Sequence, residues 1–311
     1  MKNNHKERTL ILVHSRYPWV TYANERGYHV DQVFRNVSLY KRILRKFCMK
    51  NNITVQMENW LAEWHQSIEK YDTIIIFASV LFKPLFYWLQ KKYPEIRLVC
   101  WYWDPFSDCK LRFNENEGIE LWSFDDDDCK QHRMNYSKTF FTPRPVQNEY
   151  EESEMLYDVF FVGEDKGRYD KLIKLRDYLN TLNLKTSFTI VRDHKLFVEN
   201  RGFKKRQYNQ PIPEKEATKC IMQSKILVDL YQRGQTGLSQ RAVEALLNKK
   251  KLITDNENIK NYDFYRENNI FVLNESNLCE IEEFLEKPYM EVDADILEQY
   301  SFDAWFERFF A

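Results

Sequence analysis

The feature that most constrains this chain is a rhythm in which short apolar, β-branched and aromatic runs alternate with stretches of helical periodicity. A run of about five apolar residues suits a strand buried on both faces, and an intervening helix carries the chain back to start a parallel neighbour. The pattern therefore predicts doubly wound α/β sheets rather than a sandwich. In the first half the expected strands are Thr9–His14, Ile53–Met57, Thr73–Ala78, Ile96–Trp103 and Ile119–Phe124, with helices over Asp31–Lys50 and Lys83–Lys92. In the second half they are Tyr157–Val162, Leu184–Val191, Ile226–Tyr231, Lys251–Thr254 and Asn269–Leu273. Between the halves, Thr142–Glu154 carries Pro143, Pro145 and several acidic residues and reads as a linker. A chain of 311 residues suits two domains. The expected divisions are an N-terminal domain over 1–145, a C-terminal domain over 155–295, and a helix within 296–311 that packs back toward the first.

Charge and cysteine usage narrow the function classes. Lys plus Arg (46) nearly cancel Asp plus Glu (47), so nothing draws the whole molecule to nucleic acid, and a charged partner must be met locally. The six cysteines show no paired short spacing of the kind that clips zinc, and they read as reduced thiols of a cytoplasmic protein. Met1–Arg8 is polar, and the apolar run after it is too short for a signal peptide or a membrane span.

Glycine locates the chemistry. Only seven occur, and four fall in two short segments of the second half: Gly163 with Gly167, and Gly234 with Gly237. The first segment runs strand, glycine turn, helix, with Lys166 and Arg168 beside the turn; amides at such a helix start suit an anion. The three-glycine dinucleotide spacing is absent, and an ordinary turn with solvated cations is the competing reading. The second segment, Gln235-Thr236-Gly237-Leu238, leads into a helix expected to start near Leu238, with Leu238, Ala242, Ala245 and Leu246 toward the core. Arg241 and Glu244, three apart, share a face of it. An arginine near a helix start suits a diphosphate, and a carboxylate one turn on can accept both ribose hydroxyls; a surface ion pair is the alternative role.

Thr236-Gly237-Leu238, Arg241, Val243-Glu244-Ala245-Leu246 and Lys251-Leu252-Ile253-Thr254-Asp255-Asn256 together resemble the donor-binding region of bacterial GT-B glycosyltransferases, group-1-like enzymes of capsule and lipopolysaccharide assembly. The resemblance covers Tyr157 to Phe271 and the first half in outline only. It implies two Rossmann-like domains facing a central cleft, and a sugar-nucleotide donor, a UDP-hexose, bound without a metal cofactor. It also implies that Glu244 holds the nucleotide ribose, while Lys166 and Arg168, in the turn with Gly163 and Gly167, meet the diphosphate. The acceptor would be a saccharide or a lipid-linked sugar. Retaining members often carry a further Glu eight residues before the ribose Glu; this chain has Thr236 there, so the resemblance does not reach the sugar contact or the stereochemical course.

Other features compete. Asp125 and Asp127 fit the Asp-x-Asp pattern with which GT-A transferases hold a divalent metal and the donor diphosphate, or else Asp125 caps a helix whose acidic first turn follows. A noncatalytic nucleotide-binding assembly subunit would share the same fold. In the first half, His14 ends the expected strand Thr9–His14 and Asp104 follows Ile96–Trp103, at the edge where open α/β sheets bind ligands, so each is a candidate base toward an acceptor hydroxyl; a hydrogen-bonded structural role competes. In the helix around Tyr40–Phe47, Lys41, Arg42, Arg45 and Lys46 are expected on one side and Ile43, Leu44 and Phe47 on the other. Such a helix could lie peripherally on the anionic inner face of a membrane, or simply be a solvated surface helix. Arg201, Lys204, Lys205 and Arg206, in an expected surface loop over Arg192–Pro213, form a second basic candidate.

Overall fold

The computed structural model describes residues 4–15, 17–114, 117–143, 154–193, 206–231 and 235–311. The chain divides into two compact units, Met1–Thr142 with Trp305–Ala311, and Pro143–Ala304.

The first unit is built on a six-stranded sheet in the order β2-β1-β3-β4-β5-β6, with every ladder parallel. Its strands are β1 Thr9–Val13, β2 His29–Gln32, β3 Thr73–Phe77, β4 Arg97–Tyr102, β5 Ile119–Ser123 and β6 Asn135–Tyr136. Every residue of β1 and β3 is buried, as strands covered on both faces must be. Two strands are invisible to the apolar pattern: β2 is mixed in polarity and β6 is two residues long, both at sheet edges. The expected strand Ile53–Met57 does not form. Asn52 and Gln56 take positive φ (both 55°) and turn the segment out of extended geometry, so Met57 is buried while Val55 is exposed. The expected helix over Asp31–Lys50 is confined to Leu39–Lys50: Asp31 and Gln32 end β2, and residues 33–38 connect the two.

The second unit carries a five-stranded parallel sheet in the order β11-β10-β9-β7-β8. The strands are β7 Tyr157–Glu164, β8 Thr186–Val191, β9 Ser224–Asp229, β10 Lys251–Thr254 and β11 Ile270–Val272. Leu172, Leu175 and Leu179, on one face of the helix Tyr169–Thr181, close over the sheet residues Val159, Phe161, Val228 and Ile253.

The last seven residues belong to the first unit. Fully buried Trp305 packs there against Phe140 (ring centroids 4.6 Å), Trp101 (5.6 Å) and Phe77 (5.8 Å), and Arg308 donates to the Lys138 carbonyl at 3.2 Å. All eight tryptophans (19, 60, 64, 88, 101, 103, 122 and 305) lie in the first unit. No helix among the described residues is long and apolar enough to cross a membrane.

Candidate functional site

Both sheets follow the same rule of order. Counted along each unit, the strands run second-first-third-fourth-fifth, so the winding reverses between the first and third strands: β1 and β3 in one unit, β7 and β9 in the other. Chains leaving those two strands diverge to opposite faces, and the gap beyond their carboxyl ends is where open α/β sheets hold ligands.

In the second unit that gap is occupied by charge. After β7 the chain turns through Lys166 (φ 44°) and Gly167 (φ 81°), consecutive left-handed residues that glycine tolerates and lysine adopts at a cost. The turn is tied down around them. The Arg168 amide donates to the Asp165 carbonyl at 2.9 Å, and the Tyr169 amide donates to Asp165 Oδ1 at 2.9 Å. No acceptor for the Lys166 and Gly167 amides is found among the described residues, so two donors remain at the start of the helix Tyr169–Thr181. Asp165 is buried, and its Oδ2 accepts from Tyr208 at 2.7 Å and from Arg206 at 3.0 Å, which gives one member of the basic loop a fixed role. Arg201, Lys204 and Lys205 lie outside the described residues, as does Gly234.

Arg168 is not a solvated cation. Its guanidinium reaches across the reversal point to the Leu230 carbonyl beyond β9, lies within 3.4 Å of the Glu164 carbonyl, and sits over the Phe161 ring at 5.3 Å. A Cβ on Gly163 would come within 3.2 Å of that guanidinium and 3.3 Å of Phe161, so a side chain there would crowd the arginine where it lies across the turn. Burial pushes the Arg168 pKa down, and Asp229 and Asp255 oppose it.

The helix Gln240–Leu247 starts two residues later than the glycine turn suggests, because Ser239 caps it by accepting from the Ala242 amide at 3.0 Å. The same hydroxyl donates to buried Asp229 at the end of β9, and the Ser239 amide donates to the Tyr231 hydroxyl at 2.9 Å. Desolvation pushes the Asp229 carboxyl up, and Ser239, Arg168 and Arg241 pull it back. Leu238, Ala242, Ala245 and Leu246 are buried. Arg241 and Glu244 do meet, but not as a surface pair: the side chains are only 19% and 4% exposed, and Arg241 also lies 3.4 Å from the Val162 carbonyl on β7. Gln235, Thr236 and Gly237 lead into this helix, with the Thr236 carbonyl 3.4 Å from Asn256 Nδ2. Asp255, after β10, accepts the Tyr231 amide at 2.7 Å and pairs with Lys171 at 2.9 Å beside a cavity of about 360 Å³ that Lys174, Leu273 and Leu278 help to line.

Asp165, Asp229 and Ser239 were not marked by the sequence, and Asp255 only as part of the run Lys251–Asn256. A signal existed for Asp229, a carboxylate directly after the apolar run Ile226–Val228, since a buried charge requires partners.

The first unit dresses the equivalent gap with rings. Tyr17, Trp19 and Trp103 stack (Tyr17 to Trp19 6.0 Å at 10°, Trp19 to Trp103 6.1 Å at 16°) over Phe77 and Phe140. His14, after β1, has its Nε2 2.8 Å from the Tyr17 hydroxyl, and Asp104 lies two residues beyond β4. Desolvation lowers the His14 pKa, and the charge of Asp104 raises it, so the two candidate bases are close enough to feel each other.

Asp125 and Asp127 have different surroundings. Asp125 is buried and its Oδ1 accepts from the amides of Asp127 (3.1 Å) and Asp128 (3.2 Å), capping the helix Asp126–His132; the Asp127 residue is exposed. Among the described residues no group of three or more His, Cys, Asp or Glu could hold a metal.

No family model matches the chain, and no curated protein matches it. Solved structures do. A sucrose-phosphate synthase from Thermosynechococcus elongatus aligns over 97% of both chains with a TM-score of 0.54 at 9% identity. The glycosyltransferase of kitacinnamycin aligns over 96% of this chain and 93% of its own (TM-score 0.46, 10% identity), and spinosyn forosaminyltransferase over 97% and 98% (0.44, 11%). The first of these likenesses is one of fold: two parallel α/β units of six and five strands, the GT-B class.

Proposed function

We propose that this chain is a glycosyltransferase that binds a nucleoside diphosphate sugar, a UDP-hexose, on its second unit and passes the sugar to a saccharide or lipid-linked acceptor held by its first. The pathway in view is bacterial surface polysaccharide synthesis, capsule or lipopolysaccharide. The observation that carries the reading is the pair Arg168 and Arg241, beside the amides of Lys166 and Gly167, which have no acceptor among the described residues, at the winding reversal of the second sheet. That is the position where such sheets take a phosphate group. In the reaction the bond from the anomeric carbon to the diphosphate oxygen breaks, and the acceptor oxygen forms a bond to that carbon. Charge develops on the leaving diphosphate, which Lys166, Arg168, Arg241 and the amides near Gly237 would stabilise without a metal. Glu244 would accept from the ribose hydroxyls. The proton of the acceptor hydroxyl would pass to His14 or Asp104; desolvation lowers the His14 pKa, which favours the neutral imidazole that can accept a proton.

Thermal shift measurements with a panel of nucleotides and sugar nucleotides, in EDTA and in manganese, test this reading. Ligand at about a hundred times its dissociation constant adds about 2.7 kcal/mol of stability. Stabilisation by UDP in EDTA is the expected result. Indifference to every nucleoside diphosphate would remove the donor site. Stabilisation that needs manganese would turn attention to Asp125 and Asp127, and stabilisation with neither transfer nor donor hydrolysis would describe a noncatalytic nucleotide-binding subunit.

A further inference from the structure

The helix Leu39–Lys50 is turned opposite to what packing alone would choose. Its large apolar side chains face outward: Tyr40 is 76% exposed, Leu39 64%, Ile43 62% and Phe47 59%, with Leu44 also exposed. At 100° per residue these five positions fall within one arc of about 140°. The side facing the protein carries Met49, which is buried, and Arg45. The Arg45 guanidinium lies 4.4 Å over the Phe34 ring and donates to the Arg35 carbonyl at 3.1 Å. Arg45 therefore drops out of the expected row of four cations. Lys41, Arg42 and Lys46 are exposed, flank the apolar arc on both sides, and have no ion pair among the described residues.

We infer that this face is a membrane-docking surface for anionic lipid, with Leu39, Tyr40, Ile43, Leu44 and Phe47 entering the interface and Lys41, Arg42 and Lys46 meeting headgroup phosphates. Two observations select lipid over other occupants. From Gln32 to Met57 the sequence holds six cations (35, 41, 42, 45, 46 and 50) and no Asp or Glu, so a segment of strong positive charge sits in a chain whose net charge is -1. The same charge opposes docking of a second copy, since pairing two such faces would bring like charges together without carboxylates to separate them. A polar rim of cations around an apolar arc is the pattern of a helix lying in the plane of a bilayer surface. The helix also packs against the turn Val80–Phe82, just beyond the end of β3 at the winding reversal of the first sheet, and Val80 is exposed there. A membrane held by this face would therefore lie beside the edge that carries His14, where a lipid-linked hydroxyl could be presented.

Co-sedimentation of the full chain with vesicles of phosphatidylcholine, and of phosphatidylcholine mixed with phosphatidylglycerol, tests the inference at low and high salt. Binding to the mixed vesicles that weakens with salt is expected, with little binding to phosphatidylcholine alone. The triple variant Lys41→Glu, Arg42→Glu, Lys46→Glu should bind the mixed vesicles at least about tenfold more weakly, as should Ile43→Ser with Phe47→Ser. Because these side chains are exposed, both variants should keep the wild-type melting temperature and the same affinity for UDP, which separates this result from the fate of the donor reading. Wild-type protein that stays in solution with phosphatidylglycerol vesicles at low salt would overturn the inference. So would vesicle binding unchanged in both variants, or a concentration-dependent dimer by sedimentation that Ile43→Ser with Phe47→Ser dissolves.

Discussion

The two sheets share one winding rule and differ in what they place at the gap it creates. In the first unit the reversal between β1 and β3 is dressed with stacked rings, Tyr17, Trp19 and Trp103, plus His14 and Asp104 as the titratable groups. In the second, the reversal between β7 and β9 is dressed with Arg168, Arg241, Asp165, Asp229 and Glu244, nearly all of them buried or bridged. Backbone topology decides where a ligand can sit; the side chains decide its charge. Stacked rings beside an imidazole make the first edge largely apolar, whereas a guanidinium pair at a helix start makes the second one suited to an anion.

The contrast is easiest to break through the rings, whose loss should give the largest effect. Trp305→Ala removes a fully buried indole from the cluster of Phe77, Trp101 and Phe140, and a truncation of that kind costs about 3–5 kcal/mol. Since every tryptophan lies in the first unit, tryptophan fluorescence during denaturant unfolding reads that unit directly. An unchanged midpoint would mean that the C-terminal segment contributes nothing to the first core.

A smaller effect sharpens the first edge. Asp104 raises the His14 pKa against the lowering caused by desolvation, so Asp104→Asn should move the His14 titration to lower pH. NMR titration of the imidazole resonances checks the sign. A midpoint that stays in place or rises would show that the two groups do not interact.

The strands were readable in the sequence wherever burial on both faces made them apolar, as in β1, β3 and β9. Edge position hid β2 and β6, and left-handed residues at Asn52 and Gln56 defeated an alternation that otherwise reads as a strand. Glycine spacing marked the turn after β7 because Gly167 takes a left-handed φ and a side chain on Gly163 would crowd the Arg168 guanidinium. What spacing could not convey is pairing at long range. Arg168 finds the Leu230 carbonyl 62 residues away, and Asp165 finds Tyr208 43 residues away, so neither the bridge across the reversal point nor the carboxylate that anchors the turn had a local signature.

Glu244 offers the most direct test of whether the charged edge of the second sheet receives a nucleoside diphosphate. Its carboxylate is 4% exposed and joined to Arg241, so Glu244→Gln keeps the shape of the side chain while removing the charge that would accept from ribose hydroxyls. Titration calorimetry of UDP against wild type and Glu244→Gln, with melting temperatures recorded for both, should show binding to the wild type. In the variant that binding should weaken by at least about 1.5 kcal/mol, the scale of a hydrogen bond to a charged group. Equal affinity for UDP in the two folded proteins would contradict the account.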